Sequence, residues 1–206
     1  MSADSDAALG AAERVARAAG VASLPAGAPE PAIRAAESEV GFAFPDDLRA
    51  WYAAHGSGGV RAPEGFYWVM SLEEAVSQWR FGNEFREGNP KDAQEWMPPP
   101  QMVDAGVDRS FLMLRNWFPV CSNVRAPRGG RSRARAVAPG SRLTPAQGCG
   151  DFMVCDLGNP PPPGRRGQII SYVHDDEQRR VEKRRGRDGF LAWLAHRECY
   201  CWSSPT

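Results

Sequence analysis

The stretch IRAAESEVGFAFPDDLRAWYAAHG, Ile33 to Gly56, reads as helix, short link, proline-started helix and glycine stop. Ile33, Ala36 and Val40 fall three and four apart, which places one apolar stripe on a helix and leaves Glu37 and Glu39 off it. Gly41 ends that helix, because glycine adopts the left-handed backbone of a C-terminal cap without strain. Phe42 and Phe44 flank Ala43, so an extended link can bury both rings. Pro45 suits a first helical turn, where its missing N–H loses no bond. Asp46 and Asp47 follow at the positive end of the helix dipole. Leu48, Trp51 and Tyr52 make the second apolar face, and Gly56 closes it. None of these residues forms a catalytic pattern; the segment reads as scaffold.

Outward from this corner, residues 1–29 are expected to be an alanine-rich tail or frayed helix with a Pro/Gly linker, PAGAPEP, at its end. Residues 30–202 are expected to form a single domain. Val60–Met70 reads as a strand through Phe66, Tyr67, Trp68 and Val69. Ser71-Leu-Glu-Glu74 is a capping box, and the helix after it should bury Leu72, Ala75, Val76 and Trp79. Asn83–Pro100 reads as loop. Phe111–Leu114 and Trp117–Cys121 read as strands with a turn at Asn116, as do Asp151–Leu157 and Gln168–His174, joined by a stiff proline turn at 158–167. Asp175–Arg187 is a charged run with no assigned element. Asp188 is placed as the cap of a last helix that buries Phe190, Leu191, Trp193 and Leu194. Strands in the middle and helices at both ends predict an α+β fold with a mostly antiparallel sheet.

The chain's 206 residues, 42% hydrophobic with seven tryptophans, are enough for one good core. No apolar run approaches the roughly 18 residues that cross a bilayer. The N-terminus carries acids before its apolar residues and lacks a basic segment, unlike a secretory signal. The expected compartment is the cytoplasm. Cysteines at 121, 149, 155, 199 and 201 are odd in number, so free thiols are expected. Zinc chemistry would call for a C-x-x-C knuckle, whereas Cys199 and Cys201 are one residue apart with His196 nearby. His55, His174 and His196 each have a structural explanation at the end of a helix or strand. Cys121 or Cys155 with His174 lacks the pattern of a nucleophile and base. Asp151 and Asp156, five apart along a strand, point to opposite faces and do not make a carboxylate pair. Neither a phosphate loop nor a dinucleotide fingerprint is present. The expectation is a non-enzyme with no metal or other cofactor and no small-molecule ligand.

A formal net charge of zero hides an asymmetry. Residues 30–108 hold fourteen acids and six bases, net −8, whereas residues 109–150 hold eight arginines and no acid. Such a distribution bears on partners rather than on fold. Acidic candidates for contact are Glu64, Glu73, Glu74, Glu84, Glu87, Asp92, Glu95, Asp104 and Asp108, with Trp96 and Met97 as an apolar anchor. The stretch 124–148 reads as an exposed, flexible insertion. Its arginines, among them Arg125, Arg128, Arg131, Arg133 and Arg135, are candidate phosphate contacts. Aromatic residues that would stack on bases are missing there, which argues against nucleic acid as the main partner.

The ordered motifs resemble the SUKH superfamily, specifically the Smi/Knr-type domain of cell-wall-assembly regulators. The residues that carry the likeness are Ile33, Glu37, Val40-Gly41, Phe44-Pro45-Asp46-Asp47-Leu48, Tyr52 and His55-Gly56. Trp117-Phe-Pro119, Gly150-Asp151-Phe152 with Asp156, Gly167-Gln-Ile-Ile170 with His174-Asp175, and Phe190-Leu191-x-x-Leu194 follow in family order, so the likeness covers about residues 30–200. His55-Gly56 stands where the family has Asn-Gly, Arg125–Gly148 is longer than the family turn, and the first 27 residues are additional. The resemblance implies a non-catalytic protein-binding domain: foremost a bacterial immunity protein that neutralises a polymorphic or contact-dependent toxin, a nuclease being one candidate, by binding it. Alternatives are a regulatory scaffold of the cell-wall-regulator type and a nucleic-acid binder acting through the arginine loop.

Overall fold

Helix α2, Glu30–Val40, buries Ile33, Ala36 and Val40, the stripe expected from their spacing. Its cap Gly41 has φ 80°, and the Gly41 N–H donates to Glu37 O at 2.9 Å. Glu37, off the stripe, ties the corner together. One carboxylate oxygen accepts the Phe44 N–H at 2.9 Å, and the other accepts Arg49 Nη1 at 2.6 Å. Phe44 is buried and Phe42 half-buried in the link. Helix α3, Asp46–His55, begins after Pro45 and buries Leu48, Ala50, Trp51, Tyr52 and His55. The computed structural model describes residues 3–18, 24–56, 67–91, 97–110, 112–123, 151–173, 178–182 and 185–196.

Five strands follow: β1 (Trp68–Val69), β2 (Trp117–Ser122), β3 (Phe152–Asp156), β4 (Ile169–Tyr172) and β5 (Arg179–Val181). Each pairs antiparallel with the next in sequence, in the order β1-β2-β3-β4-β5. With the helices at both ends this is an α+β fold, as the sequence predicts. Every residue of β2 and β3 is buried, so both faces of the central sheet are covered. Register assigns the faces. Phe118 is opposite Cys155, and its ring meets Phe44 at 4.8 Å and Tyr52 at 6.4 Å, so that face receives α3 and the link before it. Trp117 lies on the other face with Phe152 and Tyr172, its ring 6.2 Å from Tyr172. There residues 107–110 and 112–113 close the core: the Met113 backbone bonds the Tyr172 hydroxyl, and Arg179 Nε donates to Ser110 O at 3.0 Å.

Several expectations are corrected. Asn83–Pro100 is not loop from its start, because α4 runs from Leu72 to Gly88. Asn83 is buried within it and donates to Trp79 O at 2.8 Å, the i−4 carbonyl of its own helix. A polar side chain whose hydrogen bond closes locally need not break a helix. The segment Leu112–Leu114 is irregular rather than strand; the Ser110 hydroxyl donates to Leu112 O at 2.6 Å and draws the backbone into a bend. The charged run 175–187 contains β5, whose Arg179 is wholly buried with its guanidinium 4.4 Å from the Tyr172 ring centre. A charged residue thus fills a strand's inward position, which periodicity of apolar residues does not register.

Helix α5, Phe190–Ala195, buries the four residues expected of it, but its cap is not Asp188. Asp188 belongs to a short 3-10 turn, Gly186–Asp188, where it pairs with Arg185 at 3.1 Å. Gly189 precedes α5 at φ 103° and has no side chain to offer. Asp47 of α3 supplies the acceptor: its Oδ2 takes the Leu191 N–H at 3.1 Å, while Oδ1 takes the Leu48 N–H at 2.8 Å. A Cβ on Gly189 would come within 2.5 Å of that Oδ2, so glycine is required twice over.

The alanine-rich N-terminus is helix α1, Ala3–Ala18, with Ala12 and Ala16 buried against the common core. His55 at the end of α3 holds it. Nε2 lies 2.8 Å from Glu13 Oε1 on α1, and Nδ1 lies 3.0 Å from Pro25 O. The expected strand residues 60–66, His174, Asp175, the insertion 124–148, Cys149, Cys199 and Cys201 fall outside the described residues.

Candidate partner-binding surface

Helix α4 carries four of the acidic candidates. The capping box holds one of them: Glu74 Oε2 accepts the Ser71 N–H at 2.8 Å, and the Glu74 N–H donates back to Ser71 Oγ at 3.2 Å. Glu73, Glu84 and Glu87 are exposed and form no ion pair among the described residues. At 100° per residue Glu73 and Glu84 lie on the outer side of α4, away from Leu72, Ala75, Trp79 and Asn83, whereas Glu87 lies on its flank, next to Asn83 around the helix. That inner side is fastened to the sheet by Trp79 Nε1, which donates to Arg115 O at 2.8 Å.

The same outer side bears two aromatic rings absent from the sequence-derived candidates. Phe81 is 37% and Phe85 42% exposed, and their centroids are 6.4 Å apart. The signal was the i, i+4 spacing of two phenylalanines, at positions out of phase with the Ala75–Trp79 face. Reading Asn83 as a helix end hid it. Beside Phe81 a shallow open depression is lined by Ser77, Gln78, Arg80, Phe81 and Glu84.

Asp104 and Asp108 lie in another segment. Asp104 guards the β5 edge: Oδ1 accepts Arg180 Nη1 at 2.8 Å and Oδ2 accepts the Val181 N–H at 2.9 Å. Both oxygens are thus engaged within the fold, where they block a strand edge that would otherwise recruit another chain. Asp108 is half-buried. Met97 is 47% exposed. Glu64, Asp92, Glu95, Trp96 and the arginines Arg125, Arg128, Arg131, Arg133 and Arg135 lie outside the described residues.

The buried carboxylate of Asp156 is occupied structurally. Asp156 accepts Asn116 Nδ2 at 2.9 Å and the Gly158 N–H at 3.0 Å on Oδ1, with Gln168 Nε2 3.3 Å from Oδ2. Burial pushes its carboxyl above the ordinary carboxylate value, against those donors. Cys121 and Cys155 are both buried, and neither is in a disulfide. Burial raises the Cys155 thiol well above its usual value, which keeps it protonated and poorly nucleophilic. Among the described residues no group of three or more His, Cys, Asp or Glu side chains is arranged to hold a metal ion. Among the same residues no helix is long and apolar enough to cross a membrane.

The capped α2–α3 corner, the antiparallel meander and the closing helix are arranged in the order of a known domain. The family model described as SMI1 / KNR4 family (SUKH-1) matches residues 27–194. The chain belongs to this family. No curated protein matches it individually. The SUKH-1 match begins after α1 and ends within α5, so α1 is an addition packed onto the SUKH-1 core. It also spans residues 124–148, which run between β2 and β3 in the sequence.

Proposed function

We propose that this SUKH-1 chain is a non-catalytic protein-binding domain that acts in the cytoplasm as an immunity protein, neutralising a toxin by direct binding. The observation that carries the reading is family membership joined to unpaired acidic side chains on one helix. Residues 30–202 form the binding domain in this proposal, residues 1–29 its N-terminal extension and 124–148 its flexible insertion. Glu73, Glu84 and Glu87 are its central contacts, with Asp92, Glu95, Trp96 and Met97 extending the surface. Glu74 and Asp104 serve the fold first, because their carboxylates already hold backbone donors.

Negative charge suits a nuclease toxin, whose substrate groove is basic; complementary potentials speed encounter and suppress wrong partners. The test is co-expression of the chain with a toxin encoded beside it. Protection of the cells and a co-purifying complex are the expected results. Undiminished toxicity without a complex would defeat the proposal. The regulator-type scaffold remains the second reading, favoured by the SMI1 / KNR4 description itself; it predicts a host protein in a pull-down from the native cell. A nucleic-acid role for Arg125–Arg142 predicts low-salt binding that disappears when the loop is deleted.

A further inference from the structure

Helix α4 is apolar on two sides, and among the described residues only one of them is covered. Trp79 on the inner side is 6% exposed, whereas Phe81 and Phe85 on the outer side are 37% and 42% exposed. Their rings contact each other, with 32° between planes, so they form one preassembled apolar knob. Isolated exposed hydrophobic residues are common on protein surfaces, but a paired aromatic knob within a charged border has the anatomy of a binding centre.

The border has a definite sign. Arg80 is neutralised from within the fold, where Nε and Nη2 donate to Glu39 Oε1 at 3.0 and 2.6 Å. Arg86 is turned to Asn83, Nη2 to Oδ1 at 3.1 Å. Glu73, Glu84 and Glu87 have no such counter-charge among the described residues. This excess of negative charge selects the occupant. It repels nucleic-acid phosphates and anionic lipid headgroups. It also repels a second copy of the same face, as two such faces would bring like charges together.

We infer that the outer face of α4, with the Phe81–Phe85 knob at its centre, is where this chain receives a basic protein partner presenting an apolar socket edged by lysine or arginine. The inference rests on the reading of the chain as a protein-binding domain and assigns the face and the chemistry of what docks there. Phe81 and Phe85 enter the socket, the depression beside Phe81 takes a partner side chain, Glu73 and Glu84 meet the basic edge, and Glu87 on the flank adds to the negative potential. Charge at such a border acts mainly on association rate, so binding weakens as salt rises.

The probe is a random linear-peptide library displayed on phage, selected against the full-length chain. Recovered peptides should combine an apolar residue with lysine or arginine. Their binding should weaken about tenfold or more in Phe81→Ser/Phe85→Ser, the loss typical of a central aromatic anchor. Glu84→Lys/Glu87→Lys should weaken it too, and remove most of the salt dependence. Both pairs are exposed, and thermal melting followed by circular dichroism checks that each variant folds; if the aromatic pair fails, the charge pair decides alone. Recovery of no peptide, or peptides that bind both variants as they bind the wild type, overturns the inference. So does a wild-type dimer in sedimentation that Phe81→Ser/Phe85→Ser dissolves, because the occupant is then a second copy. A failed toxin co-expression with a positive peptide result defeats neutralisation and leaves the face standing. Full protection by both double variants defeats the face and leaves neutralisation standing.

Discussion

Helices α3 and α4 begin alike and finish differently. Each carries two acids in its first turn, Asp46 and Asp47 in one, Glu73 and Glu74 in the other. In each, one acid faces solvent and the other accepts backbone N–H groups. Yet α3 buries five of its ten residues, while α4 buries four of seventeen and leaves Phe81 and Phe85 in water. Asp47 caps a helix 144 residues away, whereas Glu74 caps only its own. An acid followed by an apolar run therefore does not reveal its task. What surrounds the helix does: α3 is enclosed by the sheet, α1 and α5, and α4 is covered on one side only.

The largest test of that contrast is Trp51→Ala in α3. Trp51 is fully buried and meets the Phe190 ring at 5.9 Å, so its loss should cost about 3–5 kcal/mol in urea denaturation. Phe85→Ala on the open side of α4 should change stability by no more than about 0.5 kcal/mol. Comparable losses at the two sites would show that α4 is covered after all.

Asp47→Ala comes next. It leaves the Leu48 and Leu191 N–H groups without their acceptor and should destabilise by about 1–2 kcal/mol. Asp47→Asn, which keeps an acceptor oxygen, should do less harm and, having no carboxyl to titrate, serves as the reference for the pH dependence. Burial raises the Asp47 carboxyl above its ordinary value, so the folded chain holds that proton more tightly than the unfolded one. Its contribution is complete below the unfolded pKa and is lost as pH rises through the raised folded pKa. Wild type measured against Asp47→Asn should therefore fare best at the acid end of that window and lose ground as pH rises. A constant difference across it would refute this account of Asp47.

Ser71→Ala in α4 removes the box that Ser71 and Glu74 form and should cost about 1 kcal/mol in thermal melting. Smallest in stability is Glu84→Lys/Glu87→Lys, expected within about 0.5 kcal/mol of wild type, because neither acid has an ion pair among the described residues. In cells carrying the toxin the same double variant should forfeit protection. A large drop in stability would instead mean that these acids serve the fold.

Much of the scaffold was legible because its signals are local. Ile33, Ala36 and Val40 state their period, Gly41 and Ser71 state their caps, and Phe152–Asp156 states a buried strand. Helix α4 beyond Asn83 was hidden because the bond that keeps Asn83 in a helix leads to Trp79, a partner that composition does not announce. Strand β5 was hidden because Arg179 occupies its inward position, stabilised by the Tyr172 ring and by carbonyls from other segments. Of the candidate surface, the acids Glu73, Glu84 and Glu87 were legible as charge. Phe81 and Phe85 were not, since an aromatic residue in a helix reads as core until its surroundings are known.

By itself the sequence determined the elements whose causes lie within a few residues: the α2–α3 corner, the capping box, the central strands and the family that their order defines. Hydrogen bonds of caps and the periods of helix and strand are short-range, so a linear reading finds them. Only the tertiary structure decided that Asp47 caps α5, that His55 holds α1, that Asp104 guards the β5 edge, and that α4 has an uncovered aromatic side. Those outcomes depend on which surfaces meet, and burial is a property of the assembled chain rather than of any residue in it.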